Sequence, residues 1–139
     1  MPLDHLSLPV SSVSASRDFY LKALAPLGYS LFREIRTEGA DPSSAPTVVG
    51  LKVGYSPDFW LQPGTPNGAH VAFSAKSREQ VDQFYKAAIE AGAKDNGAPG
   101  IRAQYHKGYY GAFVLDPDGY NVECVYHDMK AMFWAWLGY

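Results

Sequence analysis

The chain of 139 residues is 47% apolar and 19% charged, with a formal net charge of −2, as suits one globular domain with a single core. Its Lys and Arg residues are scattered rather than run together, which excludes the basic surface expected for nucleic acid or an anionic membrane. Cys124 is the only cysteine, so no intrachain disulfide forms, and the start at Met1 without a basic-then-apolar leader sets the expectation of a cytoplasmic protein.

In chain order, residues 3–9 alternate polar and apolar as a half-buried strand does. Ser11 or Ser12 can cap a helix that carries Val13, Tyr20, Leu24 and Leu27 on one face, with Gly28 as its stop. Three strand-like stretches follow, "YSLFREIRT", "TVVGLKV" and "DFWLQ", separated by turn-forming segments. A second series then begins with "AHVAFSA". Ser77 can cap its helix, which bears Val81, Phe84, Tyr85, Ala88 and Ile89. A weak strand near 93–96, then "GAFVLD", the turn "PDG" and "YNVECVY" complete it. The last apolar stretch, "AMFWAWLGY", falls short of the roughly 20 residues that span a bilayer. With Met129, Met132, Phe133, Trp136 and Leu137 it reads as a docking helix or a subunit contact.

The two series are one unit repeated. A single offset that aligns His5 with His70 also aligns Phe19-Tyr20 with Phe84-Tyr85 and Ala23-Leu24 with Ala88-Ile89, and brings Gly28 within one residue of Gly92. We therefore expect one domain over 1–139, with a βαβββ module at about 3–62, a second at about 69–126 and a helical tail at 128–139.

Side chains alternate along a strand, so residues two apart share a face. Leu6 and Leu8 are expected to pack on the first helix, Val71 and Phe73 on the second, and Val122 and Cys124 also inward. This leaves His5 with Ser7, His70 with Ala72 and Ser74, and Glu123 with Asn121 and Val125 on faces that no helix covers. Two imidazoles and one carboxylate form the facial triad that leaves half of an octahedral metal open. Each of the three taken singly also suits an ordinary solvated strand end. His106 and His127 show no such register and read as surface residues.

On "DHLSLPV", the helix with "DFY", "GAHVAF" and above all "FVLDPDGYNVE", the chain resembles the vicinal oxygen chelate superfamily, which includes glyoxalase I, fosfomycin-resistance transferases, extradiol dioxygenases and bleomycin-resistance proteins. The resemblance covers about residues 3–126. It implies an α+β fold in which the two modules form a cup-shaped, partly closed barrel, with His5, His70 and Glu123 as ligands of one divalent ion (Fe, Mn, Zn or Ni). It also implies a homodimer in which His5 of one chain meets His70 and Glu123 of the other, and the short "GTPNG" connection between modules favours the same pairing. Glyoxalase I has a fourth ligand where this chain has Trp60, and a glutathione-holding arginine where it has Pro9. Fosfomycin-resistance enzymes match the three-ligand pattern better, but Phe113 stands at their cavity tyrosine and Met132 at a basic phosphonate contact.

The function implied is a metal-dependent enzyme, a lyase, transferase or dioxygenase, acting on a small oxygenated metabolite held through neighbouring oxygens. Trp60 and Phe113 are expected to wall the site, and Ser7, Gln62 and Tyr105 are candidate polar contacts. The sequence singles out no general base. A bleomycin-resistance-like module that binds a small molecule without catalysis is the alternative, suited to the aromatic content and to "YHKGYYG".

Overall fold

The computed structural model describes residues 3–138; Met1, Pro2 and Tyr139, at the two ends of the expected domain, lie outside them. The elements run β1 (Leu6–Val10), α1 (Val13–Ala23), β2 (Ser30–Ile35), β3 (Val48–Lys52), β4 (Pro57–Pro63), β5 (His70–Ser74), α2 (Arg78–Glu90), β6 (Lys94–Ile101), β7 (Tyr109–Leu115), β8 (Asn121–His127) and α3 (Met129–Trp136). The repeat is exact in topology. One sheet has the order β1-β4-β3-β2 and the other β5-β8-β7-β6, and in each the first and last strands of the module pair in parallel.

Local chemistry accounts for the boundaries. Ser12 accepts a hydrogen bond from the Ala15 amide and Ser77 one from the Gln80 amide, so both helices start at a side-chain cap. Helix α1 ends earlier than its apolar stripe suggests. Pro26 follows closely, and the chain tightens into a 3-10 turn over Ala25–Leu27 that Gly28 ends at φ 87°. Strand β1 starts one residue after His5, and β6 is longer than the weak strand expected near 93–96, because Gly97 and Gly100 carry it through two irregularities in its pairing with β7.

The inward faces are those the alternation predicts: Leu8, Val10, Val122 and Cys124 are buried, as are Tyr20, Leu24, Val81, Phe84 and Ala88 on the helices. The two modules share one core. Helix α1 packs on α2, and Phe59 of β4 meets Tyr20 edge-on at 4.9 Å and Phe73 of β5 at 5.3 Å. Polar clamps join the halves as well. The Asp-Pro-Asp-Gly turn is tied to module one by the Tyr20 hydroxyl, which donates to Asp116 at 2.6 Å, and by the Ser11 amide and hydroxyl, which donate to Asp118.

The expectation of a cup-shaped, partly closed barrel is corrected here. The described residues form two open four-stranded sheets, with no strand pairing between them and neither one closed on itself. The reason is physical. Both modules turn their helix-bearing faces into the common core, so within one chain the uncovered faces are not wrapped around each other.

Candidate functional site

Strand parity brings the chemistry to the uncovered face of the second sheet. His70 pairs with Asn121, Ala72 with Glu123, and Phe113 with Glu123 on the other side, so these side chains project together. Although Glu123 points away from the helix, its side chain is only 3% exposed. Gly111 makes the room: a Cβ there would lie 3.2 Å from Glu123 Oε1 and 3.2 Å from the Tyr109 ring. The carboxylate thus lies on bare backbone, with both oxygens engaged. Oε1 accepts from the Tyr109 hydroxyl, and Oε2 lies 3.0 Å from His70 Nε2.

The tautomer of His70 follows from its other nitrogen. Nδ1 is 3.0 Å from the carbonyl oxygen of Asn121, which can only accept, so Nδ1 carries a proton. In the neutral ring the Nε2 lone pair then faces an acceptor oxygen of Glu123, an arrangement that calls for a cation between them, either a proton or a metal ion. His70 and Glu123 supply two donors of the kinds a divalent metal takes. A ligating histidine with its second N–H on a backbone carbonyl, beside a carboxylate, is a common half of such a centre. Burial first, and then the hydrogen bond to Glu123, push the Tyr109 hydroxyl well above the ordinary tyrosine range, so it stays a donor at neutral pH.

His5 lies ahead of β1 and is half exposed, with Nδ1 2.6 Å from Asp4 Oδ1. Among the described residues no three His, Cys, Asp or Glu side chains gather as a metal-ligand set, so within one chain His5 does not join His70 and Glu123. It borders instead a cavity of about 310 Å³ between the modules, with Tyr29, Asp58, Phe59 and Phe73 among its walls. Ser7 and Trp60 face each other across β1 and β4, and Gln62 lies opposite Pro9, all on the uncovered side of the first sheet. The Trp60 ring lies flat on β3 over Gly50, where an added Cβ would be only 2.7 Å from it. The structure therefore collects the expected residues into two sets, Ser7, Trp60 and Gln62 on one sheet and His70, Phe113 and Glu123 on the other. Phe113 stacks on His70 at 6.2 Å between ring centroids. Tyr105 is exposed and leans on Tyr109 at 4.8 Å.

Sequence reading quotes Tyr109 only within "YHKGYYG" and does not give it a place in the site. The signal was present, because Tyr109 has the same strand parity as Phe113 in "YYGAFVLD". His106 and His127 also come closer to the site than their lack of register suggested. The Gly108 amide donates to His106 Nδ1, which leaves the proton on Nε2 to donate to His127 Nδ1 at 2.9 Å. Both rings pack edge-on against Tyr109, at 5.3 and 5.2 Å.

The chain belongs to the Glyoxalase/Bleomycin resistance protein/Dioxygenase superfamily, whose model matches residues 2–124. Solved structures of similar fold include a glyoxalase/bleomycin resistance protein from Albidiferax ferrireducens, with 22% identity, TM-score 0.68 and coverage of 90% of this chain and 98% of that one. TioX from a Micromonospora species is similar with 14% identity, TM-score 0.69 and coverage of 88% and 96%. A possible glyoxalase from Bacillus cereus has 26% identity, TM-score 0.60 and coverage of 89% and 97%. No curated protein matches this chain in sequence. Among the described residues no helix is long and apolar enough to cross a membrane.

Proposed function

We propose that this chain is a metal-dependent enzyme of the superfamily, acting on a small oxygenated metabolite, with His70 and Glu123 of one chain and His5 of a second copy as the ligands. The observation that carries this reading is the pairing of His70 Nε2 with a nearly buried Glu123 oxygen at 3.0 Å on an uncovered sheet face. A carboxylate is rarely buried unless a partner compensates its charge. A divalent ion bound there supplies Lewis-acid stabilisation to negative charge on substrate oxygens.

The residues of the chain do the rest. The Asn121 carbonyl fixes the His70 ring, and Tyr109 fixes the Glu123 carboxylate, so neither has to be ordered when a ligand arrives. Phe113, and across the dimer Trp60, exclude water. Ser7 and Gln62 are polar contacts from the opposite wall, and Tyr105 lies at the rim. The aromatic walls also support a second reading, a cup that only binds a small molecule.

Subunit mixing tests the proposal. His5→Ala and Glu123→Ala chains are each expected to lose metal. In a mixed dimer one shared site is intact and the other doubly damaged, so metal binding should return to half of the mixed dimers' sites, about a quarter of all sites after random exchange. If subunit exchange is demonstrated and the mixture stays empty, the shared triad is wrong. A wild-type protein that takes up no divalent ion leaves the binding-module reading in its place.

A further inference from the structure

Among the arginines, Arg17, Arg36 and Arg78 are ion-paired with Asp18, Glu34 and Asp128. Arg33 and Arg102 have no carboxylate partner among the described residues, although acidic residues outnumber basic ones in the chain. Both lie over aromatic rings instead. The Arg102 guanidinium carbon is 5.5 Å from the centroid of Phe113, the ring that also stacks on His70. The Arg33 guanidinium carbon is 5.8 Å from the centroid of Phe32, with the Lys52 ammonium at the same distance, and Phe32 in turn meets Trp60 edge-on at 6.2 Å.

The backbone accommodates Arg102 in particular. A Cβ at Gly97 would be 3.2 Å from Nη2, and one at Gly100 would be 3.0 Å from Nη1. Nη2 donates to the Ala98 carbonyl at 2.7 Å, which holds the plane of the group, and among the described residues Nη1 and Nε donate to no acceptor. The Glu123 carboxylate forms no ion pair with it, its two oxygens meeting Tyr109 and His70 instead. A planar cation held on a ring, beside a ligand pair and without an acid, is suited to a bidentate oxyanion.

We infer that the substrate or ligand of this face is a small organic anion, with a carboxylate or phosphonate head read by Arg102 and an apolar, planar body lying along Phe113. This rests on the reading that the uncovered face is the functional site, but it does not require the metal. In a dimer that brings the first sheet of the partner opposite, Arg33 and Lys52 add to the same positive lining, which disfavours a cationic ligand.

The test uses chelator-treated full-length protein and isothermal titration with benzoate, phenylphosphonate, benzamide and benzylammonium. The anions should bind at least about tenfold more tightly than benzamide, benzylammonium should not bind measurably, and rising KCl should weaken only the anions. Comparing benzoate with phenylphosphonate identifies the preferred head group. Arg102→Gln should remove the preference for the anions over benzamide. Gly100→Val, which crowds Nη1 without removing the charge, should reduce it as well. Circular dichroism and zinc titration of each variant separate this result from misfolding and from the metal reading. If the four probes bind alike, if none binds, or if a folded Arg102→Gln protein keeps the anion preference, the inference is overturned.

Discussion

The hydroxyl of Tyr109 donates to Glu123 from four residues before Phe113, across a glycine whose missing side chain lets the two meet. One carboxylate oxygen depends on this phenol. Removing it leaves a nearly buried acceptor without a partner, which costs about 1–3 kcal/mol. Tyr109→Phe should therefore lower the stability of the metal-free protein by that order in urea unfolding. Zinc affinity should also fall, by about tenfold to a hundredfold as for other supports of a ligand. Unchanged stability and affinity would show that the contact is incidental.

The alternation of strands made most of this legible in advance. "HVAFS" and "YNVECVY" were enough to place His70 and Glu123 on one face, because a period of two admits only two answers for each strand. The common offset of the two series revealed the repeated topology. Sequence did not reveal how the modules meet, since the contacts of Phe59 with Tyr20 and Phe73 depend on which faces share a core, and the partly closed barrel was wrong for that reason. Tyr109 and Arg102 were missed for different reasons. Tyr109 sits at a strand end next to a second tyrosine, whereas Arg102 lies just beyond a glycine-rich strand whose irregular pairing breaks the parity rule.

Cys124 lies next to Glu123 in sequence but faces the core. Burial, and then the neighbouring Glu123 charge, push its thiol up to about 12, and the side chain has no exposed surface. Thiolate is the reactive form. Ellman's reagent at about pH 8 should not label the native protein, and should titrate one thiol per chain in denaturant. Rapid labelling of the native state would contradict the packing of β8 against α2.

Glu34 on β2 joins the Arg17 side chain of α1 to Arg36, at 2.7 and 3.0 Å. Hydrogen bonds from Arg17 first and from Arg36 hold its carboxyl below the ordinary glutamate range. A lowered folded-state value means that the unfolded chain takes up the proton first. The stabilisation is present above the unfolded value and is lost as the pH falls through the folded one. Being partly exposed, the cluster contributes at most about 1 kcal/mol. Glu34→Gln should be slightly less stable at neutral pH, and the difference from wild type should vanish in acid. A constant difference across thermal melts at neutral and acidic pH would rule out the charge as its source.

Helix α3 leaves much of its apolar surface uncovered. Asp128 caps it through the amides of Lys130 and Ala131, yet Met129 is 67% exposed, Phe133 55% and Trp136 81%. Exposed apolar side chains of this kind suit a subunit contact, and the proposed pairing of His5 with His70 and Glu123 requires a second copy. Dimer formation should therefore depend on α3. The double variant Phe133→Glu, Trp136→Glu should sediment as a monomer at concentrations where wild type is a dimer. It should also lose metal affinity, although no ligand is changed, because each monomer keeps only part of the triad. A monomeric variant with wild-type metal binding would place all the ligands in one chain, and a variant that stays dimeric would move the interface away from α3.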